Sequence, residues 1–268
     1  MPKVLITGCA GFIGSQLSET CINAGYEVHG IDNLSRRGTT HNLAHLKSIG
    51  GSCSFNFQQF DLSDSNKLDL FFKQYGPFDW IGHEAGQVAV TTSLGFPLHD
   101  FQSNAHVTLL LLEAIRKHSS ASKMIFASTN KVYGDNPNRL KILEKKTRWE
   151  LKKTDKNYKG INENFSLDNA THSFFGVSKT YADLIVQEYG KNIGLKTVSL
   201  RGGCITGPNH SGASLHGFLS YLVKSSLDRR KYNLIGYKGK QVRDNLHSSD
   251  LVKCFWEFYK KPRYGVVY

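Results

Sequence analysis

The 268 residues carry 34 Lys and Arg against 22 Asp and Glu, a formal charge of +12, and 40% of them are hydrophobic. That make-up suits a globular chain of one large domain or one domain with a small lobe, and no apolar run is long enough to span a bilayer. Five cysteines (Cys9, Cys21, Cys53, Cys204, Cys254) stand singly without a CxxC pair, which excludes a disulfide framework or cysteine zinc site and predicts reduced, mostly buried thiols in a cytoplasmic protein.

The chain opens on Lys3-Val4-Leu5-Ile6-Thr7, a short apolar strand that runs into Gly8-Cys9-Ala10-Gly11-Phe12-Ile13-Gly14. The glycine spacing suits a dinucleotide. Gly8 allows a tight turn, Gly11 lets the backbone approach a pyrophosphate, and Gly14 lets a helix pack closely on the strand. The helix expected over 12–24 offers the phosphates free N–H groups and a partial positive charge. A second strand over 27–31 ends at Asp32, roughly 20 residues beyond the glycine turn, where a carboxylate accepts hydrogen bonds from both adenosine ribose hydroxyls. Asp32 repels a 2′-phosphate and favours NAD over NADP, while Arg36 and Arg37 keep NADP open as the lesser option.

A third strand is expected over 53–58, followed by Asp61, whose carboxylate can accept from an adenine amino group. Ser63 or Asp64 caps the next helix, which runs through Phe72. A fourth strand over 78–82 leads to His83-Glu84-Ala85-Gly86-Gln87, whose small residues let the chain pass beneath a cofactor. The leucine-rich stretch 98–118 reads as a core helix, and 123–127 as a fifth strand entering Ser128-Thr129-Asn130-Lys131-Val132-Tyr133-Gly134. Residues 135–171 form a polar excursion, with nine Lys or Arg against three acids between Arg139 and Lys159. It reads as a solvated surface with no aromatic platform or groove-reading motif, so no nucleic-acid partner is expected. A helix over 174–189, a strand over 197–200, a helix around 215–226, short strands near 232–237 and a last strand over 265–268 complete the pattern.

This alternation predicts an α/β, Rossmann-like, doubly wound parallel sheet. The expected division is a nucleotide-binding domain over 1–206 and a small, partial C-terminal substrate lobe over 207–268.

The combination of TGCAGFIG at 7–14, Asp32, Asp61, STNKVYGD at 128–135, Gly176-Val177-Ser178-Lys179 and Gln241-Val242-Arg243-Asp244-Asn245-Leu246-His247 resembles the extended short-chain dehydrogenases/reductases. Within them it resembles the NAD-dependent epimerase/dehydratase group that acts on nucleotide sugars. STNKVYGD and Arg201…Thr206-Gly207-Pro208 most resemble the CDP-paratose (CDP-tyvelose) 2-epimerases. The resemblance implies NAD as cofactor, a nucleotide-diphosphate sugar as substrate, no metal, no membrane, and epimerisation by transient oxidation of a sugar carbon. It also implies a homodimer formed through the helices 98–118 and 174–189.

By the same resemblance, Gly8, Gly11, Phe12, Ile13, Gly14, Asp32, Asn33, Ser35, Arg36, Asp61, Leu62, Ala85, Gln87, Asn104 and Lys179 hold the cofactor. Gln87, Thr129, Asn209 and Arg243 contact the substrate, Asn209 within a loop Asn209-His210-Ser211-Gly212 expected to meet sugar or phosphate and Arg243 through the diphosphate. Thr129 is the hydroxyl that bonds the reacting oxygen, and Lys179 is the lysine of a Tyr-x-x-x-Lys pair. The tyrosine of that pair is Phe175 here, and a phenyl ring carries no proton. Tyr133, Lys131 and His172 are candidate replacement bases. Two alternatives remain: weak catalysis through Thr129 and water, and a binding-only relative. The Asp-Glu pair of the dehydratases is Asn130-Lys131, which disfavours dehydration.

Overall fold

A computed structural model describes residues 1–210 and 217–268. The elements run β1 (Lys3–Thr7), α1 (Phe12–Asn23), β2 (Glu27–Asp32), α2 (Thr39–Ser54), β3 (Phe55–Gln59), α3 (Ser65–Tyr75) and β4 (Trp80–His83). Two short helices follow, α4 (Val90–Ser93) and α5 (Pro97–Asp100), the second continuing through a π-helical turn (Phe101–His106) into α6 (Val107–His118). Then come β5 (Lys123–Thr129), a small hairpin β6 (Ile142–Glu144) and β7 (Trp149–Leu151), and α7 (Phe174–Lys191). The chain closes with β8 (Lys196–Gly202), β9 (Cys204–Thr206), α8 (Phe218–Leu227), β10 (Asn245–His247), α9 (Ser248–Lys260) and β11 (Val266–Val267).

Seven strands form one parallel sheet in the order β3-β2-β1-β4-β5-β8-β11. Every strand-to-strand step crosses over, so helices cover both faces and the central strands read as continuous apolar runs. Val4 and Ile6 pack on one face with α1, α2 and α9, through Leu17, Leu46 and Phe255. Leu5 and Ile81 pack on the other with α3, α6 and α7, through Phe72, Leu111 and Val186. Strand order reverses between β1 and β4, which opens a crevice at their carboxyl ends, the place where such sheets bind ligands.

Several local expectations need correction. The third strand begins at Phe55, not residue 53, because the helical turn persists through Ser54 across a break at Gly51 (φ 55°), and pairing with β2 starts at Val28–Phe55. The short strands expected near 232–237 do not form. Gly236, Tyr237, Lys238 and Gly239 all adopt positive φ, which extended pairing cannot use. The helix expected around 215–226 is observed as Phe218–Leu227, and residues 215–216 lie outside the described residues. The stretch 98–118 is broken by its π turn, which carries Asn104 and Ala105 inward. Among the described cysteine side chains Cys9 and Cys21 are buried, Cys204 is half-buried and Cys254 is exposed, all as free thiols.

Part of the stretch assigned to a separate lobe packs with the main sheet. Leu251, Val252, Phe255 and Phe258 of α9 enter the first core cluster, and β11 pairs with β8. Periodicity of these four positions could have placed α9 from sequence.

Candidate active site

The glycine turn is built as its spacing requires. Gly8 has φ +69°, and a Cβ there would lie 2.7 Å from the Ala85 nitrogen at the end of β4. At Gly14 a Cβ would fall 2.1 Å from the Gly8 carbonyl oxygen, so only glycine lets α1 start this close to β1. Gly11 caps α1 without a side-chain bond. Among the described residues the amides of Phe12, Ile13 and Gly14 therefore have neither an intrahelical nor a side-chain acceptor, an arrangement suited to an anion. The Phe12 ring stacks on His210 at 4.3 Å, so the loop after β9 lies over this turn. Asn209 stands beside it, exposed and at φ 66°. Of the Asn209–Gly212 loop expected to meet substrate, residues 211–212 lie outside the described residues.

Asp32 ends β2, with Oδ2 accepting from the Ala10 amide (3.1 Å) and Oδ1 from the Leu34 amide (2.8 Å). Burial pushes its carboxyl up, and these amide bonds oppose the shift. Asn33 donates to Asp61 (2.7 Å) and accepts from the Ser35 amide (3.0 Å), tying together the loops after β2 and β3. Burial raises Asp61, but bonds from Ser63 and Asn33 outweigh it and hold the group below the usual carboxylate range. Asp64 is the cap of α3, accepting from the Lys67 amide. The Arg36 side chain is near enough to Asp32 and His210 to act on both electrostatically. Leu62 is a core residue of the second cluster, so only its backbone remains for a ligand.

Ala85 is half-buried against Gly8, with its amide on the Thr7 hydroxyl (3.4 Å). Asn104 accepts from the Gln87 amide (2.9 Å) and donates to the Ser178 hydroxyl (3.0 Å), and Gln87 donates to Asp100 (2.7 Å). In this structure both side chains latch the loop after β4 to α5 and α7.

Thr129 ends β5 and Lys179 lies in α7, both nearly buried. Lys179 Nζ donates to the Ala127 carbonyl (2.7 Å) and sits 4.2 Å above the Phe126 ring. Burial lowers Lys179 to about 8, against the opposing pull of Glu84 and Asp183. Beneath it, His83 stacks on Phe126 and meets the hydroxyls of Thr7 (2.7 Å) and Thr108 (3.0 Å). Burial, aided by the Lys179 charge, takes His83 down to about 3, so the ring is neutral. Glu84 as a whole is half-buried, but its Oε1 is enclosed with no hydrogen-bond partner among the described residues. Burial pushes its carboxyl up to about 8, opposed by Lys179. Sequence reasoning passed over His83 and Glu84 as part of a small-residue turn.

Phe175 is buried in the first turn of α7, where Ser173 caps the helix by accepting from the Gly176 amide. The candidate replacement bases are held differently. Tyr133 is buried, and its oxygen accepts from Arg201 Nη1 (3.0 Å). Arg201 makes a two-pronged bond to Asp183 (2.8 and 3.1 Å), which also accepts from Ser128 (2.5 Å) and Gln187 (2.7 Å). His172 lies between the carbonyls of Val132 and Ala170. Lys131 is exposed and, with Arg243, acts electrostatically on Cys204 of β9. Arg243 is exposed and forms no ion pair among the described residues, while Asp250 pairs with Lys253. Nor could any group of three His, Cys, Asp or Glu side chains among the described residues hold a metal ion. None of their helices is long and apolar enough to cross a membrane.

Residues 4–268 match the model of the NAD dependent epimerase/dehydratase family. Over 258 residues the chain is 37% identical to CDP-paratose 2-epimerase of Salmonella typhi, covering 95% of this chain and 73% of that one. It is 30% identical to dTDP-glucose 4,6-dehydratase of Salmonella typhimurium over 99% of this chain and 71% of that one. Among solved structures, UDP-glucose 4-epimerase of Thermus thermophilus in complex with NAD superposes with TM-score 0.78 at 26% identity, over 99% of this chain and 76% of that one. UDP-glucose 4-epimerase of Thermotoga maritima with UDP-glucose gives 0.77 at 25% identity, over 99% and 75%.

Proposed function

Because the chain belongs to the NAD-dependent epimerase/dehydratase family, with NAD as its cofactor, we propose that it is a nucleotide-sugar epimerase acting in the cytoplasm as a homodimer. The observation that carries this reading is the assembly of the first turn of α1, Asp32, Thr129 and Lys179 along the carboxyl edge of one sheet. The amides of Phe12, Ile13 and Gly14 receive the pyrophosphate, Asp32 the adenosine ribose, and Asp61 the adenine amino group. Lys179, anchored on Ala127, offers its remaining protons to the nicotinamide ribose. NAD, when bound, supplies a reversible hydride acceptor for a sugar carbon. Thr129 bonds the reacting oxygen, and Arg243 grips the diphosphate. Asn130 after Thr129 supplies no acid for water elimination, which favours epimerisation over dehydration. The 37% identity to CDP-paratose 2-epimerase of Salmonella typhi supports a CDP-sugar as substrate.

Phe175 leaves the proton without its usual acceptor, so the acid–base group is relocated. Tyr133 is the first candidate: Arg201 donates to its oxygen, which leaves its own O–H proton to give. Buried Phe175 also favours a second reading, an NAD-binding relative without turnover. The test is a panel of CDP-, dTDP- and UDP-sugars followed by NMR for product stereochemistry. Turnover that survives in Phe175→Tyr at the parent rate and is abolished in Tyr133→Phe supports relocation. No turnover by either the parent or Phe175→Tyr sinks the epimerase reading.

The dimer rests on α7, which exposes Phe174, Val177, Tyr181 and Leu184 on one stripe beside the exposed Leu98 and Phe101. A contiguous exposed apolar row of this kind marks a surface for association.

A further inference from the structure

The basic excursion expected to be a solvated surface is folded onto the segment that carries Arg243. Trp149 of β7 donates its backbone amide to the Lys240 carbonyl (3.1 Å) and its indole Nε1 to the Tyr237 carbonyl (2.9 Å). Asn138 reaches the Tyr237 hydroxyl (3.3 Å), and Glu144 of β6 pairs with Lys238 and Lys240, both at 2.7 Å. The two segments line an open pocket of about 840 Å³, within the range of small-molecule sites. Trp149 and Tyr158 from the excursion line it together with Tyr237 and Arg243, and Arg148 and Lys159 line it too. Glu150 is the single acid among the lining residues, and Arg148, Lys159 and Arg243 make no ion pair among the described residues. Gly202 pairs with Thr129 across β5 and β8, and two residues on the Cys204 amide donates to the Asp244 carbonyl (2.6 Å), which puts the Arg243 segment beside the carboxyl end of β5.

From this juxtaposition we infer that the hairpin β6–β7 and the loop after it form the nucleoside-diphosphate wall of the substrate site. An aromatic base stacks on Trp149, and Arg148 joins Arg243 on the diphosphate. This rests on the nucleotide-sugar reading above. The chemistry is specific to that ligand class. A base supplies a flat apolar face to an aromatic ring, and a diphosphate supplies the anionic oxygens that guanidinium groups bind in pairs. The indole is already immobilised by its Nε1 bond and by Lys238, whose Nζ lies 6.0 Å from the ring centroid, so little side-chain freedom is lost on binding.

The test titrates CDP and UDP into the NAD-loaded full chain, followed by calorimetry and tryptophan fluorescence. The expected result is saturable binding with quenching that disappears in Trp149→Phe, while that ring keeps most of the affinity. Trp149→Leu weakens binding by roughly 5- to 150-fold, and Arg148→Gln and Arg243→Gln each by roughly 10- to 150-fold, with NAD affinity and melting temperature as folding controls. Parental affinity in Trp149→Leu and Arg148→Gln, alongside a weakened Arg243→Gln, overturns the hairpin's role and leaves the epimerase reading standing. Absence of CDP and UDP binding by the NAD-loaded parent overturns both.

Discussion

At Gly14 the constraint is steric and complete. An added methyl would stand 2.1 Å from the Gly8 oxygen, both of them backbone-fixed, so α1 must lift from β1 to admit it. Gly14→Ala is expected to cost about 1–3 kcal/mol and to abolish NAD binding, measured by urea titration and by calorimetry with NAD. Glu84 makes a pH-dependent prediction. Its carboxyl loses its proton near 8 in the fold against an ordinary 4.5, so from about pH 4.5 to 8 the folded chain holds a proton that the unfolded chain releases. Stability from this group is therefore present below about 4.5 and is lost as pH rises to about 8. Lys179 acts above that window, where its lowered value makes folding gain stability as pH rises from about 8 towards 10.5. Glu84→Gln should thus melt increasingly above the parent between about pH 4.5 and 8; a constant gap across thermal melts would refute the buried proton.

At the scale of elements, α7 joins three tasks: buried Phe175 and Lys179 face inward, Lys179 onto the Ala127 carbonyl of β5, Asp183 holds Arg201, and the outer stripe is exposed. Asp183 and Arg201 are almost wholly enclosed, with side chains 0% and 5% exposed. Removing one partner leaves a buried charge alone, so Asp183→Ala should destabilise by about 3–5 kcal/mol in chemical denaturation. It should also loosen Tyr133, whose hydroxyl depends on Arg201. None of this network was read from sequence, although Asp183 lies one helical turn beyond Lys179 and so shares its face. The excursion 135–171 was read as a charge run because its partners, Tyr237, Lys238 and Lys240, lie about a hundred residues away.

For the whole molecule, the order of the seven strands puts the crevice between β1 and β4, where the Gly8 turn meets Ala85. The exposed stripe on α7 predicts assembly. Val177→Asp with Leu184→Arg should convert a dimer to monomer in light scattering, with NAD affinity retained; a parent that is monomeric at every concentration removes the dimer. The +12 charge is spread over folded, paired surface as well as the pocket lining, so binding to generic DNA should be absent at moderate salt.

Local chemistry was enough for the alternating strands and helices, the glycine turn, Asp32, and the place of Thr129, Lys179 and Phe175. These depend on spacing along one strand–turn–helix or one helical turn, and spacing is written in the chain. Which groups share a buried space depended on the tertiary structure. Glu84 beside Lys179, Tyr133 on Arg201, α9 beneath the sheet and Trp149 over the Arg243 segment are meetings of distant residues, produced by packing and desolvation that no local pattern encodes.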